Sequence, residues 1–162
     1  RDWSSDVCSS DLFIMVDLQM EMDMDCVAKL TEDQRIAFLK AFSRLAAADG
    51  HLDPEEKEFI RHVAVSFGVS SRRVDEILQI DNDEEIINAV KTIDNRRAAL
   101  ELIKEMCVLA HADDELSDEE TALIGKVGMA MGIDLDKIEQ ISNWVIDRLI
   151  WLEEAKIIFE EV

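Results

Sequence analysis

A twelve-residue segment, LAAADGHLDPEE (Leu45 to Glu56), returns 64 positions later as LAHADDELSDEE (Leu109 to Glu120), identical at seven of the twelve positions. The likeness runs on without a gap. Phe59, Ile60, Val63, Phe67, Gly68, Val69, Val74 and Ile77 meet Leu123, Ile124, Val127, Met131, Gly132, Ile133, Ile138 and Ile141. Apolar positions fall on apolar positions and glycine falls on glycine. The chain therefore carries one supersecondary unit twice, over about 31–80 and about 95–145, too few copies for a solenoid.

Each unit reads as helix, acidic turn, helix, glycine stop, helix. In the first copy Thr31 and Gln34 form a capping box, and Ile36, Leu39, Phe42, Leu45 and Ala46 supply one apolar helical face. A second helix starts at Asp53, with Pro54 in the first helical position and Glu56 three residues after the cap. It ends at Gly68. A short helix over Ser71 to Leu78 and a linking helix from Asp83 to about Ile93 follow. The second copy begins near Asn95. Its second helix starts at Ser117, with Glu120 closing the box, and stops at Gly132. The last helix, from Asp134, carries Ile138, Ile141, Val145, Leu149 and Leu152 on one face, with Trp144 expected in the core. No segment alternates like a strand. One proline and five glycines suit long helices joined by short loops. The expected fold is all-α, a compact bundle of about seven to eight helices built from a duplicated helix-turn-helix unit.

The first twelve residues, RDWSSDVCSSDL, stand apart. DWSSDVCSSDL resembles the translation of a common short-read library adapter, so 1–12 is excluded from fold reasoning. Arg1, Asp2, Asp6 and Asp11 leave with it, which changes the formal charge from −20 to −18. Residues 13–30 then read as an N-terminal extension or helix and 31–162 as a single helical domain.

Charge bounds the function. A formal −20 opposes nucleic acid and anionic lipid, and favours a cation or a protein partner. No apolar run approaches a bilayer span, so no membrane insertion is expected. Cys8, Cys26 and Cys107 have neither metal-ligand spacing nor a disulfide framework, and no signal peptide is legible; a cytoplasmic protein is expected. Cys26 and Cys107 read as packing residues, and His51, His62 and His111 as surface polar groups.

The two acidic turns hold the chemistry. Carboxylates suit hard divalent cations such as calcium or magnesium. Glu56 and Glu120 are also explained as capping-box residues, where negative charge meets the positive end of the helix dipole. Capping does not account for Asp49 and Asp113, which follow helix C-terminal ends, where negative charge is unfavourable. An EF-hand is a poor fit. In that register the first and third ligands fall on Leu45 and Ala47, or on Leu109 and His111, and Asp114 replaces the turn glycine.

AAADGHLDPEE and its echo AHADDELSDEE resemble the TerB-like family of tellurite resistance proteins and related co-chaperone domains, over about Thr31 to Asn143. The resemblance implies an all-helical fold, a role in stress response and a metal site. Carried onto this chain, the implied ligands are Asp49, Glu56, Asp113 and Glu120, with Asp114 as a possible addition. It assigns no reaction, and an enzyme is not expected: there is no nucleophile elbow, phosphate loop or zinc motif. The alternative is a metal-free acidic helical module that binds a protein partner, either through its acidic surface or through a C-terminal apolar strip of Trp151, Ile157, Ile158 and Phe159.

Overall fold

The computed structural model describes residues 24–47, 51–111 and 116–160. Among them are eight helices: α1 (Met24–Ala28), α2 (Glu32–Ala46), α3 (Pro54–Ser66), α4 (Val74–Leu78), α5 (Asp83–Val90), α6 (Arg96–His111), α7 (Asp118–Ala130) and α8 (Leu135–Ile158). None is long and apolar enough to cross a membrane.

The helix starts are chemically explicit. Thr31, Asp53, Asn82 and Ser117 each accept a hydrogen bond from the backbone N–H three residues on, while the side chain of that residue reaches back to the cap N–H. These reciprocal boxes satisfy donors that a helix start leaves orphaned. Asn95 and Asp134 cap α6 and α8 from one side only, each accepting from the N–H three residues on.

The stops repeat as faithfully. Gly68 and Gly132 both have positive φ, 73° and 78°. Val69 N–H donates to Ala64 C=O and Gly68 N–H to Val65 C=O; Ile133 N–H donates to Gly128 C=O and Gly132 N–H to Met129 C=O. That is the Schellman pattern in both copies, and it buries Val69 and Ile133 against the core.

The leading helices of the two repeats, α2 and α6, pack on each other at the centre. Around α2 lie α3, α4, α5 and α7; around α6 lie α1, α7 and α8. The core is continuous across both copies, with Phe38, Leu39 and Leu45 from α2 and Leu102, Ile103, Met106 and Leu109 from α6 fully buried. Cys26 and Cys107 are buried free thiols, as their packing role requires.

Two helices are shorter than the sequence suggests. The segment 71–73 is a turn closed by Arg73 N–H to Ser70 C=O, so α4 begins at Val74. The linking helix ends at Val90, where Lys91 and Thr92 form a turn.

The repeats diverge after Ile77 and Ile141. In the first, Asn82 caps a new helix and α5 folds back onto α2 and α7. In the second, the position 64 residues on is Ile146, which cannot cap, and α8 runs on unbroken to Ile158. The offset sets Ile86 of α5, 1% exposed, against Ile150 of α8, 53% exposed. Among the described residues, the outer half of α8 therefore lacks the cover that its counterpart has. Trp144 departs from expectation for a different reason: it is 52% exposed, because the buried line of α8 runs through Ile138 and Val145 and Trp144 points to one side of it.

Candidate functional site

Glu56 and Glu120 occupy the third position of α3 and α7. Each commits Oε2 to the N–H of its cap residue, at 2.8 Å from Asp53 and 3.0 Å from Ser117. The capping role read from sequence is therefore present in both copies. It uses one oxygen of each carboxylate.

Their surroundings differ. Glu56 is half-buried, whereas Glu120 is 4% exposed. Glu120 lines an open pocket of about 350 Å³ together with Arg44 and Leu45 of α2, Asp83 of α5, and Glu119, Ala122, Leu123 and Lys126 of α7. The second repeat's capping glutamate thus faces the end of the first repeat's leading helix, which feeds directly into the first acidic turn. Glu56 is not among the residues lining that pocket, and α3 and α7 make no extensive contact.

The pocket is not itself an acidic cage. Asp83 is engaged by Arg44 at 3.2 Å and Lys126 at 3.8 Å. Among the described residues there is no group of three or more His, Cys, Asp or Glu side chains placed to hold a metal. Asp49, Asp113 and Asp114 lie outside the described residues.

Two buried carboxylates escaped the sequence reading. Glu101 and Glu105 sit on α6 among Ala98, Leu102, Met106 and Leu109, and both are buried. Arg97 reaches Glu101 at 2.9 Å; Lys104 reaches Glu101 at 2.6 Å and Glu105 at 3.4 Å. Burial pushes the Glu105 carboxyl up to about 7, against the pull of Lys104 and Arg148 and with a push from Glu101. The available signal was the spacing of Arg97, Glu101 and Lys104 at four and three residues, which marks paired charges on one helix face.

A third cluster is chemically quiet. His111 Nε2 lies 3.0 Å from Ser142 Oγ, beside Cys107 in a small, mainly apolar pocket. Burial raises the Cys107 thiol to about 12, so the nucleophilic thiolate is suppressed.

The family model described as Tellurite resistance protein TerB matches residues 19–79 and again 80–143. The boundary between the two matches falls between the repeats. No curated protein and no solved structure matches the chain.

Proposed function

As this chain belongs to the TerB family of tellurite resistance proteins, we propose that it is a cytoplasmic divalent-cation-binding module of a tellurite or stress response, a binder rather than an enzyme. The cation sits between the two acidic turns, held by Asp49 and Glu56 of one and Asp113 and Glu120 of the other, with Asp114 adding charge. Oxygen-only donors favour calcium or magnesium. The observation that carries this reading is Glu120, a buried carboxylate of the second repeat beside Leu45, four residues before Asp49 of the first. In this reading the packing of the two repeats joins acidic segments that the sequence keeps 64 residues apart.

Calorimetric titration with calcium, magnesium, manganese and zinc tests the reading. The native chain is expected to bind at least one of them, and Asp49→Asn with Asp113→Asn to bind none. Silence from the native chain, or undiminished binding by the double variant, sinks it.

A second reading, a protein-docking module, is favoured by the outer half of α8. Ile150, Trp151, Ile157, Ile158 and Phe159 are all exposed, Trp151 by 66%. An apolar strip of this kind on one helix marks an interaction surface. Changing Trp151 and Phe159 to serine is expected to abolish partner capture in a pulldown, while Asp49→Asn with Asp113→Asn leaves it intact. The reverse pattern excludes docking through the strip.

A further inference from the structure

A basic groove of about 490 Å³ runs between α6 and α8, on a chain whose acidic side chains outnumber its basic ones by 37 to 17. Four cations line it: Arg97 and Lys104 from α6, and Lys137 and Arg148 from α8. Leu100, Ile141 and Trp144 give it an apolar floor, with Arg148 lying 5.6 Å from the Trp144 ring centroid. Glu101 also lines it and pairs with Arg97 and Lys104, offsetting one of the four charges, so the groove keeps a net positive charge. Its shape and chemistry fit an amphipathic helix with acidic flanks.

Such a helix is present in the chain itself. Along α8, Lys137, Ile141, Trp144, Arg148, Trp151, Ala155 and Ile158 alternate at spacings of four and three, one continuous seam. The inner half of the seam is basic and aromatic and lies in the groove. The outer half is apolar, with Trp151 and Ile158 exposed and Ala155 half-buried; Glu154 flanks it, Glu160 follows the helix end, and Glu153 on the far face is paired to Lys156 at 2.7 Å. The two halves are complementary in charge and alike in apolar character. They cannot meet within one chain, because they lie end to end on a single helix of 24 residues.

We propose that two copies of this chain associate through α8, the glutamate-flanked outer half of one helix lying in the basic groove between α6 and α8 of the other. The pairing is antiparallel with its two-fold axis near Arg148, so the same contact forms twice. Trp144 meets Trp151 of the second copy, and Lys137 meets its Glu160. Arg97 and Lys104 face Glu154. This covers the part of α8 that the described residues leave exposed where the second repeat does not turn back as the first does at Asn82. It is independent of the cation reading, and it rests on the docking reading by giving that surface one partner.

Sedimentation equilibrium of the full chain is the test. A concentration-dependent dimer is expected. Trp151→Glu and Lys137→Glu are each expected to weaken it at least about tenfold, or about 1.4 kcal/mol, with helicity unchanged by circular dichroism. Mixing Lys137→Glu chains with Glu160→Lys chains is expected to restore the association that each substitution weakens alone. A chain that stays monomeric up to about 1 mM overturns the proposal, as does a dimer indifferent to both substitutions. A monomer that still captures another protein through Trp151 overturns self-association and leaves the docking reading standing.

Discussion

Glu120 and Leu45 belong to different repeats, yet they line the same pocket. Glu120 also closes the capping box of α7 on the N–H of Ser117. One carboxylate therefore joins a local task, starting a helix, to a long-range one, lining a pocket with the end of the other repeat's leading helix. The two tasks come apart under mutation, because a capping box accepts glutamine as readily as glutamate.

Glu56→Gln and Glu120→Gln are therefore expected to leave thermal stability within about 0.5 kcal/mol of native and to weaken cation binding sharply. Asp53→Ala and Ser117→Ala are expected to do the opposite, costing about 1 kcal/mol each in denaturant unfolding. If the glutamine variants bind cations as the native chain does, the two glutamates are caps and nothing more.

Glu105 makes stability depend on pH. Its carboxyl holds a proton up to about pH 7 in the folded chain but loses it near 4.5 when unfolded. Between those values the folded state binds more protons, so stability from this group is present at low pH and is lost as pH rises through the window. At about 1.4 kcal/mol per unit the whole loss is on the order of 3 kcal/mol. Glu105→Gln removes it. Urea unfolding at about pH 5 and about pH 8 is expected to show the variant gaining on the native chain at the higher pH. A gap that does not change with pH would mean that Glu105 is already ionised in the folded chain.

The two glycine stops are equivalent in sequence and unequal in surroundings. A Cβ on Gly132 meets nothing within 4 Å, whereas one on Gly68 would lie 2.8 Å from Nη1 of Arg35. That nitrogen donates a 2.8 Å hydrogen bond to the Phe67 carbonyl. Gly132→Ala is expected to cost about 1 kcal/mol, from the left-handed backbone alone. Gly68→Ala adds the displaced Arg35 bond and is expected to cost about 1 kcal/mol more. Unfolding midpoints of the two variants check the order, and equal losses would contradict it.

The helices and their ends were legible because their signals are local. Thr31, Asp53, Ser117 and Asp134 announce their helices within four residues, and Gly68 and Gly132 stop theirs by backbone geometry. The shorter α4 and α5 were over-read, since apolar spacing alone does not register a turn such as 71–73. Trp144 was misplaced because helical periodicity fixes a face only approximately, and the neighbouring Val145 took the core position. Glu101 and Glu105 were missed because their burial depends on α8 covering α6, a tertiary event. The candidate site divides the same way. The sequence marks Asp49, Glu56, Asp113 and Glu120 as a repeated set, but a repeat does not say how its copies pack. The contact of Glu120 with the Leu45 pocket supplies that for one residue of the four.

Stoichiometry tests the shared site most directly. Calorimetric titration of the native chain with calcium or magnesium is expected to give one ion per chain, and Asp49→Asn or Asp113→Asn alone to abolish most of the binding. Two ions per chain, each lost with its own aspartate, would contradict a shared site, and no heat from any cation would contradict the cation module altogether.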